Sequence, residues 1–487
     1  MASTRTLVKR RLKNMLFHSL RTHARLRPNA PALLLSSRAN MTTGEDVLSW
    51  AQLLDRVNAC ARRIALETSH VPRPCVSHVV DNTWRDIVLS LACQSVGITE
   101  APIDCGGGEE YTLSCRRQLG ACHELDEVWV DENEKRSIVE TTGDSRPSET
   151  DVSPDADALI LWTGGTTGES KGVVLSHKSL FQNAAAKLAA VPQSSDAFRL
   201  TLLSISHGYA RTSDLGTWLL SGCRLAIGRG LTGWDDFASL RPTMVNAVPS
   251  LAERLFDSDP DSLELIGCGG AAMSDEAFHA WTRRGTRVIQ GYGLTETGPV
   301  ICSQTPSTSL PHRVGGFVDG WEKRLERSRL LVRGPCLMSR YLNNEAATDE
   351  AIDCDGWFDT GDLVRWDEKS GQLEILGRVG DRITLSNGYN VDPVPIENRY
   401  TSLHEVRTAV VTLASDARHV ELWIEWKRGQ RADLAAVTKT LARWQQPRVL
   451  HEFSLPDEFR QAWTNRKGAL RRRALIAWLS ETRNRHA

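Results

Sequence analysis

Hardly any charge of either sign is left over in this sequence: 59 lysines and arginines stand against 60 aspartates and glutamates, a net charge of −1 over 487 residues. Without a basic excess the chain has no long-range pull toward nucleic acid or an anionic membrane, so any nucleotide it handles must be held locally. The 11 cysteines include no Cys-x-x-Cys pair and no Cys/His cluster at zinc spacing. That removes the zinc and dithiol motifs and leaves reduced thiols in a cytoplasmic protein as the expectation. No apolar run approaches the roughly eighteen residues of a spanning helix, and none of signal-peptide length follows the basic start MASTRTLVKRRLKNMLFHSL. A soluble protein with no transmembrane segment and a solvated first helix is expected. Internal repeats and low-complexity tracts are missing too, which argues against a solenoid.

The length calls for two or three folding units. From about residue 15 to 130, helical patterns such as WAQLLDRVNACARRIA and DIVLSLACQSVGI alternate with short apolar strands, the rhythm of an α/β layer structure. The alternation continues from Val174 to Val300, with Ser176 placed to cap the helix of SHKSLFQNAAAKLAA. Near residue 380 the texture changes to short β-like runs broken by glycine, a hairpin-like VRTAVVTLASDARHVELWIEW and an Arg-rich helical tail. A small α+β unit of about a hundred residues fits that remainder.

Within this frame LWTGGTTGESKGVV packs Gly164, Gly165 and Gly168 with Thr163, Thr166 and Thr167 ahead of Lys171. Glycines bring backbone amides close to a ligand, and hydroxyls and an ammonium add donors, a composition suited to a polyphosphate. It is not the P-loop of nucleoside triphosphatases, because Gly172 follows Lys171 and the flanks ALILW and GVVLS both read as strands. The plain alternative is a Gly-rich hairpin with a solvated lysine.

Three other stretches supply complementary chemistry. GYGLTETG sets Tyr292 as a face for a base, Thr295 as a phosphate donor and Glu296 as a hard oxygen ligand for Mg²⁺. DGWFDTGDL places Asp362 where an acceptor-only carboxylate takes two ribose hydroxyls, and LGRVGDR adds the donor fork of Arg378. Each has a dull counterpart in a core tyrosine, a capping threonine, a turn aspartate or a surface arginine.

In this order, from about residue 15 to 475, the motifs resemble those of the adenylate-forming enzymes: acyl-CoA and aryl-CoA ligases, nonribosomal-peptide adenylation domains and firefly luciferase. TGGTTGESKG is similar to that family's phosphate loop, GYGLTE to its Thr-Glu motif, GWFDTGDL to its ribose motif and GRVGDRITLSNGYNVDPVPIE to its hinge. The resemblance implies an α/β multilayer fold, with a large N-terminal domain of layered sheets and helices (1–379) and a small mobile α+β C-terminal domain (380–487). It implies that a carboxylic acid reacts with Mg·ATP to give an acyl-AMP, and that a thiol, usually coenzyme A, then takes the acyl group. Thr163, Thr166, Thr167 and Lys171 would hold the outer phosphates, Thr295 the α-phosphate, and Glu296 the metal. The purine would lie between Tyr292 and the Gly270–Ala271 strand end. His207 matches a histidine beside the acyl site, a structural histidine being the alternative.

Three departures stand out. Ser170 replaces a proline, worth up to about 1 kcal/mol of unfolded-state entropy. Gly380 occupies a hinge position usually held by Asp or Lys. TNRKGALRRRAL carries Lys467 two positions before the alignment would put the catalytic lysine, where Ala469 stands; we take Lys467 as that lysine. The acid-pocket walls are expected near 205–213, 246–251 and 268–273, Arg211 either pairing a distal acid group or, preferentially, facing solvent. The reading leans to a fatty or aryl acid and coenzyme A, with a carrier-protein thiol or a non-catalytic binder as alternatives.

Overall fold

A computed structural model describes residues 15–36, 46–120, 122–125, 152–163, 170–258, 260–386, 389–464 and 470–486, side chains being described to residue 482. Two large sheets dominate. The first has nine strands. Six of them, Arg287–Tyr292, Leu265–Cys268, Met244–Ala247, Phe198–Thr201, Arg224–Ile227 and Pro31–Leu34, run parallel. The second has six strands, with Asp157–Thr163 parallel to Thr99–Asp104 and antiparallel to Lys171–Ser176.

The parallel strands are buried on both faces, and their sequences are short apolar runs separated by helices, as βαβ crossovers require. The helix Trp50–Glu67 covers one face; Ser49 accepts from the amide of Gln52, whose side chain reaches back to the Ser49 amide, a reciprocal cap. Trp84–Val96 is apolar on nearly every side and buried from Asp86 to Gln94. Ser176 caps the helix His177–Ala190 by accepting from the Ser179 amide, as expected. A single continuous core, running from Leu16 to Leu373, joins the two sheets.

Most of the basic start, residues 1–14, lies outside the described residues; in the helix Leu16–Leu26 that follows, Leu16, Phe17 and Leu20 are buried. An antiparallel four-stranded sheet, built by Glu322–Glu326, Arg329–Arg333, Phe358–Asp367 and Gln372–Arg378, follows the large sheets. After residue 382 a three-stranded sheet, Val406–Leu413, Val420–Trp426 and Val449–Glu452, builds apolar cores from its own neighbourhood, with Tyr400 and Ile396 on one side and Leu475 and Leu479 on the other.

Candidate functional site

The hairpin Asp157–Thr163/Lys171–Ser176 pairs Thr163 with Lys171. Its two strands therefore present those side chains at one end, on either side of 164–169. Gly164, Gly165, Thr166, Thr167 and Gly168 lie outside the described residues, as does Lys467. Beside the hairpin, the short strand Arg340–Tyr341 pairs Tyr341 with Val173. Lys171 Nζ stands 4.8 Å from the centre of the Tyr341 ring, and the Tyr341 hydroxyl donates to Glu296 Oε1 at 2.8 Å. Glu296 is held from the backbone as well, its carbonyl accepting from the Met338 amide at 2.7 Å. Lys171 and Glu296, 125 positions apart in the chain, thus share one aromatic side chain.

Tyr341 is the residue that sequence reading missed. No glycine or acidic motif surrounds it in SRYLNN, and only its strand register brings it to the site. The contact also raises the tyrosine's own pKa well above the usual phenol range: burial is the main cause, followed by the Glu296 charge and hydrogen bond.

The same 291–297 segment reaches a second carboxylate. Tyr292 donates to Asp362 Oδ2 at 2.5 Å, while Arg378 Nε pairs with Asp362 Oδ1 at 2.8 Å. Asp362 and Arg378 are cross-strand partners in the antiparallel sheet, which fixes the pair without a long loop. Arg378 also donates to the Thr360 carbonyl at 2.9 Å. Asp362 is buried, whereas the Arg378 side chain is half exposed at 51%. Burial, then the neighbouring Asp362 charge, raises the Tyr292 pKa far above its ordinary value, so this hydroxyl stays a donor.

Thr295 begins the short helical turn Thr295–Thr297 and is half-buried. Gly270, exposed with φ +82°, and Ala271 follow the end of Leu265–Cys268, whose Cys268 pairs with Gln290 two residues before Tyr292. Both segments leave the sheet at the carboxyl ends of parallel strands, the usual place for a ligand in open α/β sheets.

His207 leaves the same region, its Nε2 lying 3.2 Å from Asp104 Oδ2. The other Asp104 oxygen accepts from Arg229 at 2.8 Å and from the Gly106 amide at 2.9 Å. The three expected wall stretches meet: the Tyr209 hydroxyl donates to Asn246 Oδ1 at 3.2 Å, and a Cβ added at Gly269 would lie 3.1 Å from the Tyr209 ring.

Arg211 corrects both sequence readings. It is neither solvated nor free for a substrate: it is buried, donates to Glu100 Oε2 at 3.0 Å and pairs with the other Glu100 oxygen. His78 Nε2 lies 3.0 Å from the same carboxylate. Burial alone would raise Glu100, but the Arg211 charge and the His78 hydrogen bond hold it down at about 2. Burial likewise pulls His78 down, and its hydrogen bonds to Asp86 and Glu100 outweigh it, lifting it to about 9. Gly380 also has more around it than expected, since Arg473 from the C-terminal helix comes within 2.9 Å of where its Cβ would be.

This layered fold is that of an adenylate-forming enzyme. Residues 20–342 match the AMP-binding enzyme family, and the chain belongs to it. It is 28% identical over 451 residues to an indoleacetate–CoA ligase of Aromatoleum aromaticum, covering 82% of this chain and 85% of that protein. It is also 28% identical to the peroxisomal long chain acyl-CoA synthetase 6 of Arabidopsis thaliana, over 51% of this chain and 44% of that protein, so there it spans less than half the relative's length. The solved O-succinylbenzoate coenzyme A synthetase of Bacillus subtilis, in complex with ATP and magnesium ion, superposes with a TM-score of 0.72 at 22% identity, covering 90% of this chain and 96% of that one. At that identity the likeness is one of fold.

Proposed function

We propose that this chain activates a carboxylic acid with ATP, forming an acyl-AMP and pyrophosphate, and passes the acyl group to the thiol of coenzyme A. The acid's carboxylate oxygen forms a bond to the α-phosphorus as the bond to pyrophosphate breaks; thiolate sulfur then displaces AMP from the acyl carbon. The observation that carries this reading is the gathering of Lys171, Glu296, Tyr292, Asp362 and Arg378 around one short segment. A cation, a hard carboxylate, an aromatic face and a buried ribose-sized acceptor are what a nucleoside triphosphate needs.

Mg²⁺ fits the site through Glu296, a carboxylate oriented by the Tyr341 hydroxyl. Among the described residues no cluster of three or more His, Cys, Asp or Glu could hold a metal, which suits an ion that usually takes one or two carboxylates plus substrate phosphates. Bound there, Mg²⁺ would neutralise phosphate charge. Asp362 would accept the ribose hydroxyls while Tyr292 and Arg378 keep its carboxylate aimed. Thr295 would donate to the α-phosphate, Thr163, Gly164, Gly165, Thr166, Thr167 and Gly168 would line the outer phosphates, and Gly270 and Ala271 would flank the purine. His207 would stand at the acid, oriented by Asp104. Lys467 would bridge the carboxylate and the α-phosphate, a contact of order 3 kcal/mol or about a hundredfold in rate.

The separate apolar cores after residue 382 support dividing the chain into 1–379 and a smaller unit, 380–487, that closes over the site. An odd cysteine count of 11 with no Cys-x-x-Cys pair supports a reducing, cytoplasmic setting. Among the described residues no helix is long and apolar enough to cross a membrane.

The test is ATP–pyrophosphate exchange over a panel of carboxylic acids, followed by acceptor competition. Acid-dependent exchange with thioester formed on coenzyme A supports the reading, and thioester formed only on a carrier protein would replace the acceptor. ATP binding without exchange for any acid would leave a nucleotide binder and overturn the catalytic assignment.

A further inference from the structure

Beyond His207 three stretches converge on one aromatic side chain. Tyr209 stands between them with the phenol end of its ring against Gly269, 3.1 Å from where a Cβ would sit. Its hydroxyl is tied to Asn246 Oδ1 at 3.2 Å. Asn246 is itself immobilised, for its amide donates to Asp214 Oδ1 at 2.6 Å, and the same oxygen accepts from Arg199 at 2.6 Å. Arg199, Asp214 and Asn246 are all buried. Gly267, directly beneath, has no room for any side chain, since its Cβ would lie 2.0 Å from Asn246 Oδ1.

An aromatic ring on a free stem could swing aside to admit a long ligand. This one is tethered at its far end to an asparagine that a buried ion pair holds in place, so moving it breaks a hydrogen bond and unsettles groups that have no water to turn to. Tyr209 is half-buried, while Asn246 behind it is fully buried. The geometry is that of a fixed end wall.

We propose that Tyr209, pinned by Asn246, closes the acid pocket and makes the substrate a compact carboxylic acid, of about the depth of a single ring, excluding long-chain fatty acids. This rests on the acid-activation reading above and narrows its substrate class.

The experiment is ATP–pyrophosphate exchange with benzoate, butanoate, hexanoate, decanoate and palmitate, on the full-length wild type and on Tyr209→Ala, Tyr209→Phe and Asn246→Ala, each checked for folding by thermal melting. Wild type should use the compact acids and reject decanoate and palmitate. Tyr209→Ala should raise kcat/KM for decanoate relative to hexanoate by about tenfold or more, the scale of a methylene-sized fit in an apolar pocket. Asn246→Ala, which frees the ring, should shift the profile in the same direction, whereas Tyr209→Phe, which keeps the ring, should shift it least. Preference of the wild type for palmitate, or an unchanged length profile in a folded Tyr209→Ala, would overturn this proposal and leave the ligase reading standing. The wild-type profile decides the matter even if the variants do not fold. Exchange with no acid in any protein would instead overturn the ligase reading itself, and this proposal with it.

Discussion

Arg211 shows how a single buried charge is held. With Glu100 fully enclosed and His78 on its other side, replacing Arg211 by Met strands a carboxylate away from water. Such a loss costs about 3–5 kcal/mol, so urea unfolding of Arg211→Met should show a drop of that size, and adding Glu100→Gln should recover part of it. An unchanged midpoint would mean the arginine is solvated after all. Tyr341→Phe tests the other missed contact. It deletes one hydrogen bond to a carboxylate, worth about 1.5–3 kcal/mol, and should weaken Mg·ATP binding by roughly ten- to a hundredfold in calorimetric titration, with little change in magnesium-free ATP binding. Equal weakening in both would show that Tyr341 does not act through Glu296. Neither residue was legible beforehand. Arg211 could not be assigned because nothing in GYARTSD indicates that its partner lies 111 positions upstream, and Tyr341 carries no local signature at all.

At the scale of elements, close backbone approach sets the geometry of the 291–298 segment. A Cβ at Gly293 would lie 1.5 Å from the Pro299 carbonyl oxygen, because the chain doubles back so that the Ile301 amide reaches the Tyr292 carbonyl at 2.9 Å. Gly293→Ala must therefore displace Tyr292 and Glu296 together; the overpacking cost is about 1–3 kcal/mol, and nucleotide affinity should fall with it. Gly371→Ala is the control. Its φ of +64° is strained for alanine, but nothing lies within 4 Å, so melting should shift while ATP affinity does not. If both variants bind ATP equally well, the turn is not what aims the site. Elements of this kind were easier to read than their contacts. Apolar runs such as ALILW and the capping Ser176 announce strand and helix locally, and the strand, loop, strand order that excluded a P-loop stands in the antiparallel pairing around 164–169. The pairing of Asp362 with Arg378 follows from a hairpin register that spacing alone does not fix, since a one-residue slip would turn the two side chains to opposite faces.

For the whole molecule, the buried charges set the pH at which the fold weakens. Glu100, held near 2 against an ordinary 4.5, contributes stability that is complete above 4.5 and is lost as pH falls toward 2. His177, lowered to about 4 by burial, also loses its contribution as pH falls, between 6.5 and 4. Asp214 works the other way: burial, opposed by Arg199, raises it from 3.8 to about 6, so its contribution is present below 3.8 and lost as pH rises through 6. The last two offset each other between about 6.5 and 4, and Glu100 is unopposed below that window. His78, raised from 6.5 to about 9, contributes fully below 6.5 and loses its contribution as pH rises through 9. Denaturant midpoints should accordingly change little from pH 6.5 to 4.5 and fall steeply below it; a steep fall already at pH 6 would assign acid sensitivity to His177 instead.

The central claim is that the 163–171 hairpin ends, the 291–297 segment and the Asp362–Arg378 pair form one nucleotide site. A crystal of the protein soaked with Mg²⁺ and a non-hydrolysable ATP analogue tests it most directly. The expected map has the ribose hydroxyls on Asp362, the metal on Glu296 and the outer phosphates beside Lys171. Nucleotide bound elsewhere, with those side chains still engaged only with one another, would contradict it.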